Sequence, residues 1–319
     1  MAPRLVLVHG VGKPRQAELE RRRWISALAD GAKQAGHSAA AVNLTEGTLA
    51  DVVFAYYSGL FLPHGKQAQG AGDVELSADE AELLTEFLAD VIEQRRSAPE
   101  ADEQTLDRAM ARLYPKGQAQ GAGDPVRRAV DAATTLLDAG PWKGGGEWLS
   151  GKFMVRDLAQ VARYLSRAEA DPAGRTLDER IKAVVAEAIG PGPAVVVAHS
   201  LGTVVSFEAL QEHQGEVPLL VTLGSPLAMR SVVWPKLRPA PPTTPPPVRR
   251  WLNHWDRDDV IAARPLLENS FLPNAHGVRP ESNRVDSDGI WVHSVAKYLA
   301  QGEVAGPVME ALQSLAVTP

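Results

Sequence analysis

Residues 195–202 read Val195-Val196-Val197-Ala198-His199-Ser200-Leu201-Gly202. Three successive β-branched residues fit a short strand buried on both faces. A serine then sits between two small residues, Ala198 at −2 and Gly202 at +2, and Thr203–His213 continues in a helix-compatible pattern. A strand, a sharp turn and a helix in that order lift a serine Oγ above the end of a sheet. Small residues at −2 and +2 let strand and helix approach closely. The usual form of such a turn is G-x-S-x-G, and Ala198 stands in place of the first glycine. The plainer alternative is a helix N-terminus capped by an ordinary serine.

Working outward, the apolar run Leu5–Val8 ends in His9-Gly10-Val11-Gly12 and reads as a buried strand feeding a glycine loop. Ala17–Ala35 reads as a helix, with Leu19, Trp24, Ile25 and Leu28 on one side and Gly36 after its end. Asp51–Tyr57, Leu219–Leu223 and Arg250–Trp255 add further strands. Strands alternating with helices predict an α/β fold with a mostly parallel sheet flanked by helices.

Residues 62–175 break that rhythm and predict helices only. Ser77-Ala78-Asp79-Glu80 is a capping box, followed by Leu83, Leu84, Phe87, Leu88, Val91 and Ile92 at helical spacing. Leu106, Met110 and Leu113 mark a second helix. Asp124-Pro125 opens a third, with Asp124 as cap. Trp148, Leu149, Phe153, Leu158, Val161 and Leu165 mark a fourth. The expected organisation is a core of 1–61 and 176–319 with a helical cap or lid, 62–175, inserted between strands; a structural subdomain away from the site is the alternative. The heptapeptide Gln-Ala-Gln-Gly-Ala-Gly-Asp occurs at 67–73 and again at 118–124. Neither copy follows a strand or carries a Lys-Ser/Thr pair, so both read as linkers rather than phosphate loops. Pro239–Pro247, with six prolines, reads as a stiff surface spacer.

Composition excludes several classes. A net charge of −6 argues against general nucleic-acid binding, which needs a basic face. The chain has no cysteine, so it has no disulfide, thiolate metal site or cysteine nucleophile. Leu5–Val8 is too short for the apolar core of a secretory leader. No apolar run approaches the roughly 18 residues of a membrane span. A cytoplasmic location is the expectation. His64, His254 and His276 show no metal-ligand spacing, and Asp256, Asp258 and Asp259 lack the glycine and distal glutamate of a calcium loop. No cofactor and no metal are expected.

A serine hydroxyl needs a base to take its proton and an acid to hold that base in the right tautomer. Ser200 is followed by the cluster Asp256-Arg257-Asp258-Asp259, just after a predicted strand, and then by His293 in a late loop. The order Ser, acid, His is the one found in hydrolases with a strand–turn–helix serine.

These pieces together resemble the α/β-hydrolase fold superfamily, in particular bacterial lipase- or esterase-like serine hydrolases. They are Val8-His9-Gly10-Val11-Gly12, Ala198–Thr203, Thr222-Leu223-Gly224-Ser225-Pro226-Leu227, Trp251-Leu252-Asn253 with Asp256 and Asp259, and His293 with Tyr298-Leu299. The resemblance covers 1–60 and 176–300. It implies a nucleophile at Ser200, a base at His293 and an acid at Asp259, with Asp256 as the alternative acid. It also implies an oxyanion hole from the backbone N–H of Leu201 and one from Val11 or Gly12. His199 is expected beneath the turn, His9 to order the oxyanion loop, and Ser225 to line the pocket or cap the chain. The implied activity is cleavage of a carboxylic ester, of a lipid or acyl chain, through an acyl-enzyme. Peptidase, thioesterase and amidase chemistry on the same triad are the rivals, with a non-catalytic hydrolase-like binding module as a further one. The expected partner is a small-molecule or lipid ester; the oligomeric state is not legible.

Overall fold

Six strands pair in one wholly parallel sheet: β1 (Arg4–Val8), β2 (Asp51–Ala55), β3 (Ala194–His199), β4 (Leu219–Leu223), β5 (Trp251–Asp256) and β6 (Pro280–Val285), in the order β2-β1-β3-β4-β5-β6. The computed structural model describes residues 2–11, 16–62, 76–96, 102–115, 125–138, 151–259, 261–262, 265–287 and 293–317. The central strands β3 and β4 are buried at every position, as expected where helices cover both faces. Among the described residues no helix is long and apolar enough to cross a membrane.

Strand periodicity sorts the side chains onto two faces. Leu5, Leu7, Val195, Val197, Val221, Leu223, Leu252 and Val285 share one face. They pack into a single core with α1 (Ala17–Gln34), α2 (Ser38–Thr45), α9 (Val295–Leu299) and α10 (Gly302–Val317). On the other face Trp251 meets Phe207 of α8 (Leu201–Leu210) and Phe271, with ring centroids 6.1 and 5.2 Å away. One row on this face is polar. Trp251 Nε1 donates to Thr222 Oγ1 (3.0 Å), which donates to Asn253 Oδ1 (2.9 Å); Asn253 Nδ2 donates to the Pro265 carbonyl (2.8 Å) and to Ser282 Oγ (3.3 Å). These bonds tie β4, β5 and β6 to the loop that follows β5.

The sequence pattern predicts five of the six strands. β6 reads Pro-Glu-Ser-Asn-Arg-Val, with proline at its first position and mostly exposed polar residues after it. It is an edge strand, where proline and charge are tolerated and apolar alternation is not required. β2 stops at Ala55 rather than Tyr57 because the Tyr57 N–H leaves the ladder and donates to His9 Nε2 (3.0 Å).

The chain divides into two compact units, one of Met1–Gly59, Glu179–Ala228 and Leu237–Pro319, the other of Leu60–Asp178 with Met229–Lys236. The first holds the sheet. α7 (Leu177–Ile189) precedes β3, and its Ile181, Val185 and Ile189 are buried. The second holds α3 (Ala78–Arg96), α4 (Glu103–Leu113), α5 (Pro125–Asp138) and α6 (Gly151–Ser166), with α3 packed on the other three. The capping box at Ser77 forms in both directions: Glu80 N–H donates to Ser77 Oγ (3.3 Å) and Ser77 N–H to Glu80 Oε2 (2.9 Å). Both heptapeptides, the Asp124 cap, Trp148 and Leu149 lie outside the described residues, as does the side chain of Phe153.

Candidate active site

β3 ends at His199 and α8 begins at Leu201, so Ser200 makes the whole turn. Its backbone has φ 56° and ψ −130°. A non-glycine residue held there stores roughly 1–3 kcal/mol and persists only where its surroundings over-determine it. The Ser200 N–H donates to the Leu223 carbonyl at the end of β4 (3.1 Å), and its carbonyl accepts the Thr203 N–H (2.9 Å) and hydroxyl (2.7 Å). Thr203 spends its one hydroxyl proton on that carbonyl. Its 2.8 Å contact with Ser225 is therefore a bond donated by Ser225, whose Oγ accepts the Leu227 N–H (3.3 Å).

Gly202 is required by close approach. A Cβ there would lie 2.4 Å from the His9 carbonyl oxygen and 2.6 Å from that of Val8, so β1 and α8 touch through backbone. A Cβ at Gly10 would lie 2.6 Å from Ser200 Cβ, which puts the loop after β1 directly against the serine.

His293 and Asp259 reach Ser200 from loops beyond β5 and β6. His293 Nε2 is 3.0 Å from Ser200 Oγ, and His293 Nδ1 is 2.9 and 2.8 Å from the two carboxylate oxygens of Asp259. Burial pushes the Asp259 carboxyl up. The facing imidazole, with hydrogen bonds from His293, the Tyr298 hydroxyl and the Ile261 N–H, outweighs that and holds it below the usual carboxylate range. An ionised carboxylate only accepts, so Nδ1 carries the proton, and in the neutral ring Nε2 is left to accept from Ser200. Gly224, at φ 52°, clears the space: a Cβ there would lie 2.7 Å from Asp259 Oδ2 and 3.1 Å from His293 Nδ1.

The other two aspartates of the cluster are engaged elsewhere. Asp256 Oδ1 accepts the Asp258 N–H (2.9 Å), and Oδ2 accepts both the N–H (2.7 Å) and the hydroxyl (2.6 Å) of Ser287. Asp258 keeps its side chain partly exposed, 3.9 Å from Arg257.

Two further histidines stand behind the serine. His9 Nε2 accepts the Tyr57 N–H (3.0 Å), so Nδ1 carries the proton and donates to the Gly10 carbonyl (2.6 Å). Burial lowers its pKa to about 4, against weaker upward pulls from backbone hydrogen bonds. His199 is buried with its ring centroid 4.6 Å from that of His293. Desolvation carries its pKa well below 6.5, with the His293 ring acting in the same direction. Both rings are neutral, so they add no positive charge beside the serine. Of the expected oxyanion donors, Leu201 is the first residue of α8, where N–H groups lack intrahelical acceptors. Val11 follows the loop at Gly10, and Gly12 lies outside the described residues.

The site sits at the carboxyl ends of β1, β3, β4 and β5. The chain runs from β1 outward to β2, then crosses back to place β3 on the other side of β1. Ligands of open parallel sheets bind at the strand carboxyl ends beside such a reversal. A groove of about 750 Å3 opens beside Arg21, Arg22, Leu44, Gly47 and Asp51, and includes none of the three residues. Among the described residues no three His, Asp or Glu side chains cluster as metal ligands. In comparisons with known proteins, no family model, curated protein or solved structure matches this chain.

Proposed function

We propose that the protein is a serine hydrolase of the α/β-hydrolase type that cleaves a carboxylic ester of a lipid or acyl chain through an acyl-enzyme. The observation that carries this reading is the continuous hydrogen-bonded line from Ser200 Oγ through His293 to Asp259. Ser200 Oγ attacks the carbonyl carbon and His293 Nε2 takes its proton. Asp259 holds the ring and stabilises the imidazolium. The imidazolium returns the proton to the departing alkoxide, and water repeats the sequence on the acyl-enzyme. The Leu201 N–H, at the positive end of α8, faces the oxyanion with a second N–H from Val11; losing one such donor commonly costs about 3–4 kcal/mol of barrier lowering.

Turnover of p-nitrophenyl esters from acetyl to lauroyl, beside an acyl thioester and a peptide p-nitroanilide, tests the substrate class. Esters turn over fastest, with a preference among chain lengths. A dominant thioester or anilide activity replaces the ester assignment with a thioesterase or peptidase. No turnover of any of them removes it.

A further inference from the structure

Tyr298 lies in α9, five residues past His293, and is fully buried. Its hydroxyl is 2.7 Å from Asp259 Oδ2 and accepts the Asp256 N–H at 3.0 Å. With that acceptor role filled and an ionised carboxylate opposite, its proton points at Asp259. The other carboxylate oxygen, Oδ1, accepts the Ile261 N–H at 2.9 Å. Each oxygen thus has its own donor besides His293, and the carboxylate plane is fixed about its Cβ–Cγ bond with Nδ1 held between the two oxygens.

We infer that Tyr298 is a positioning residue of the Ser200 site: its hydroxyl clamps Asp259 and so sets the orientation of the His293 ring. The inference rests on the hydrolase reading for its kinetic consequence, but the clamp itself is a matter of hydrogen bonding. The groups around Asp259 and His293 are Tyr298 from α9, Asp256 from the end of β5 and His199 from the end of β3; burial and the adjacent Asp259 charge hold the Tyr298 phenol well above its ordinary pKa, so it stays a donor. A buried phenol of this kind also fills space, so a loss of stability alone does not separate clamping from packing.

The test is a double-mutant cycle with a spectroscopic readout. Tyr298→Phe keeps the ring and removes the hydroxyl. It is expected to lower kcat by about 10-fold with KM within about 2-fold, and to change kcat less than about 2-fold once Asp259→Asn is present, because the two act as one unit. An equal loss in both backgrounds, or no loss in the parent, overturns the inference. By proton NMR, the hydrogen-bonded Nδ1 proton of His293 is expected to move downfield in Tyr298→Phe, as the carboxylate becomes a stronger acceptor. In protein made with 3-fluorotyrosine it moves upfield, because that phenol is the better donor. The fluorinated protein keeps the test open if Tyr298→Phe does not fold. An unmoved resonance in either protein overturns the clamp. Absence of hydrolysis in the parent protein, with the resonance shifting as stated, instead removes the hydrolase reading and leaves the clamp standing.

Discussion

His293 Nε2 lies 3.0 Å from Ser200 Oγ, although 93 residues separate the two in the chain. Three further strands, β4, β5 and β6, and their connections run between them. The distance therefore depends on the register of β4 and β5 and on the space that Gly224 leaves for the Asp259–His293 pair.

The backbone of Ser200 separates two substitutions that both remove the hydroxyl. Alanine keeps the Cβ and the positive-φ strain; glycine adopts φ near 56° without it. Ser200→Gly is expected to be more stable than Ser200→Ala by about 1 kcal/mol, the relief of strain exceeding the entropy glycine adds to the unfolded chain. Urea denaturation of the pair measures this. Equal stability, or a more stable alanine variant, would mean the turn is not strained.

Gly202 is expected to tolerate nothing larger. Its missing Cβ would overlap two carbonyl oxygens of the β1 end, and backbone yields less than a side chain. Gly202→Ala is expected to cost about 1–3 kcal/mol and to displace the loop at Gly10. A melting temperature unchanged from the parent would show that β1 and α8 can separate freely.

The two buried aspartates at the end of β5 are expected to fail in different ways. Asp259→Asn should fold normally and lose as much as about 10⁴ in turnover, because the amide disturbs the imidazole tautomer. Asp256→Asn should lower stability with a much smaller loss of turnover, since its carboxylate holds Ser287 and the Asp258 N–H. Steady-state kinetics beside thermal melting compares them; a comparable loss of turnover in both would mean the cluster acts jointly.

His254 on β5 makes the fold sensitive to acid. It is buried, neither ring nitrogen has a hydrogen-bond partner among the described residues, and desolvation with the Arg250 charge lowers its pKa from 6.5 to about 4. Between those values the unfolded chain binds a proton that the folded protein refuses, so stability falls as pH drops from about 6.5 to 4 and this loss levels off below. His254→Met is expected to recover about 2 kcal/mol of the stability lost between pH 8 and pH 5. Urea midpoints at the two pH values give the comparison. An identical pH slope in parent and variant would show that His254 is not the group responsible.

Much of the sheet and the three residues now brought together were legible in local pattern. Val195–Val197 are apolar because both faces of β3 are covered, and the residues around Ser200 are small because β1 and α8 meet through backbone. Chain order then pointed to His293 and to the acidic cluster. The cluster itself was harder. Asp256, Asp258 and Asp259 are equivalent as letters, and only the turn after β5 decides which carboxylate faces the histidine and which is absorbed by Ser287. β6 left no apolar alternation because it is an edge. Tyr298 was visible as a residue next to the histidine, but its tie to Asp259 joins positions 39 apart. The Thr203–Ser225 hydrogen bond likewise joins the first turn of α8 to the loop after β4, and spacing along the chain carries no sign of it.

The most direct test of the central claim is intact-protein mass spectrometry after exposure to a fluorophosphonate, with peptide mapping of the adduct. A hydrogen-bonded Ser200–His293–Asp259 line that activates the serine should give one adduct per chain, on Ser200, and none in Ser200→Ala or in protein unfolded before exposure. Folded protein that takes up no probe, or a Ser200→Ala variant that is still labelled, would contradict the claim that Ser200 is the nucleophile.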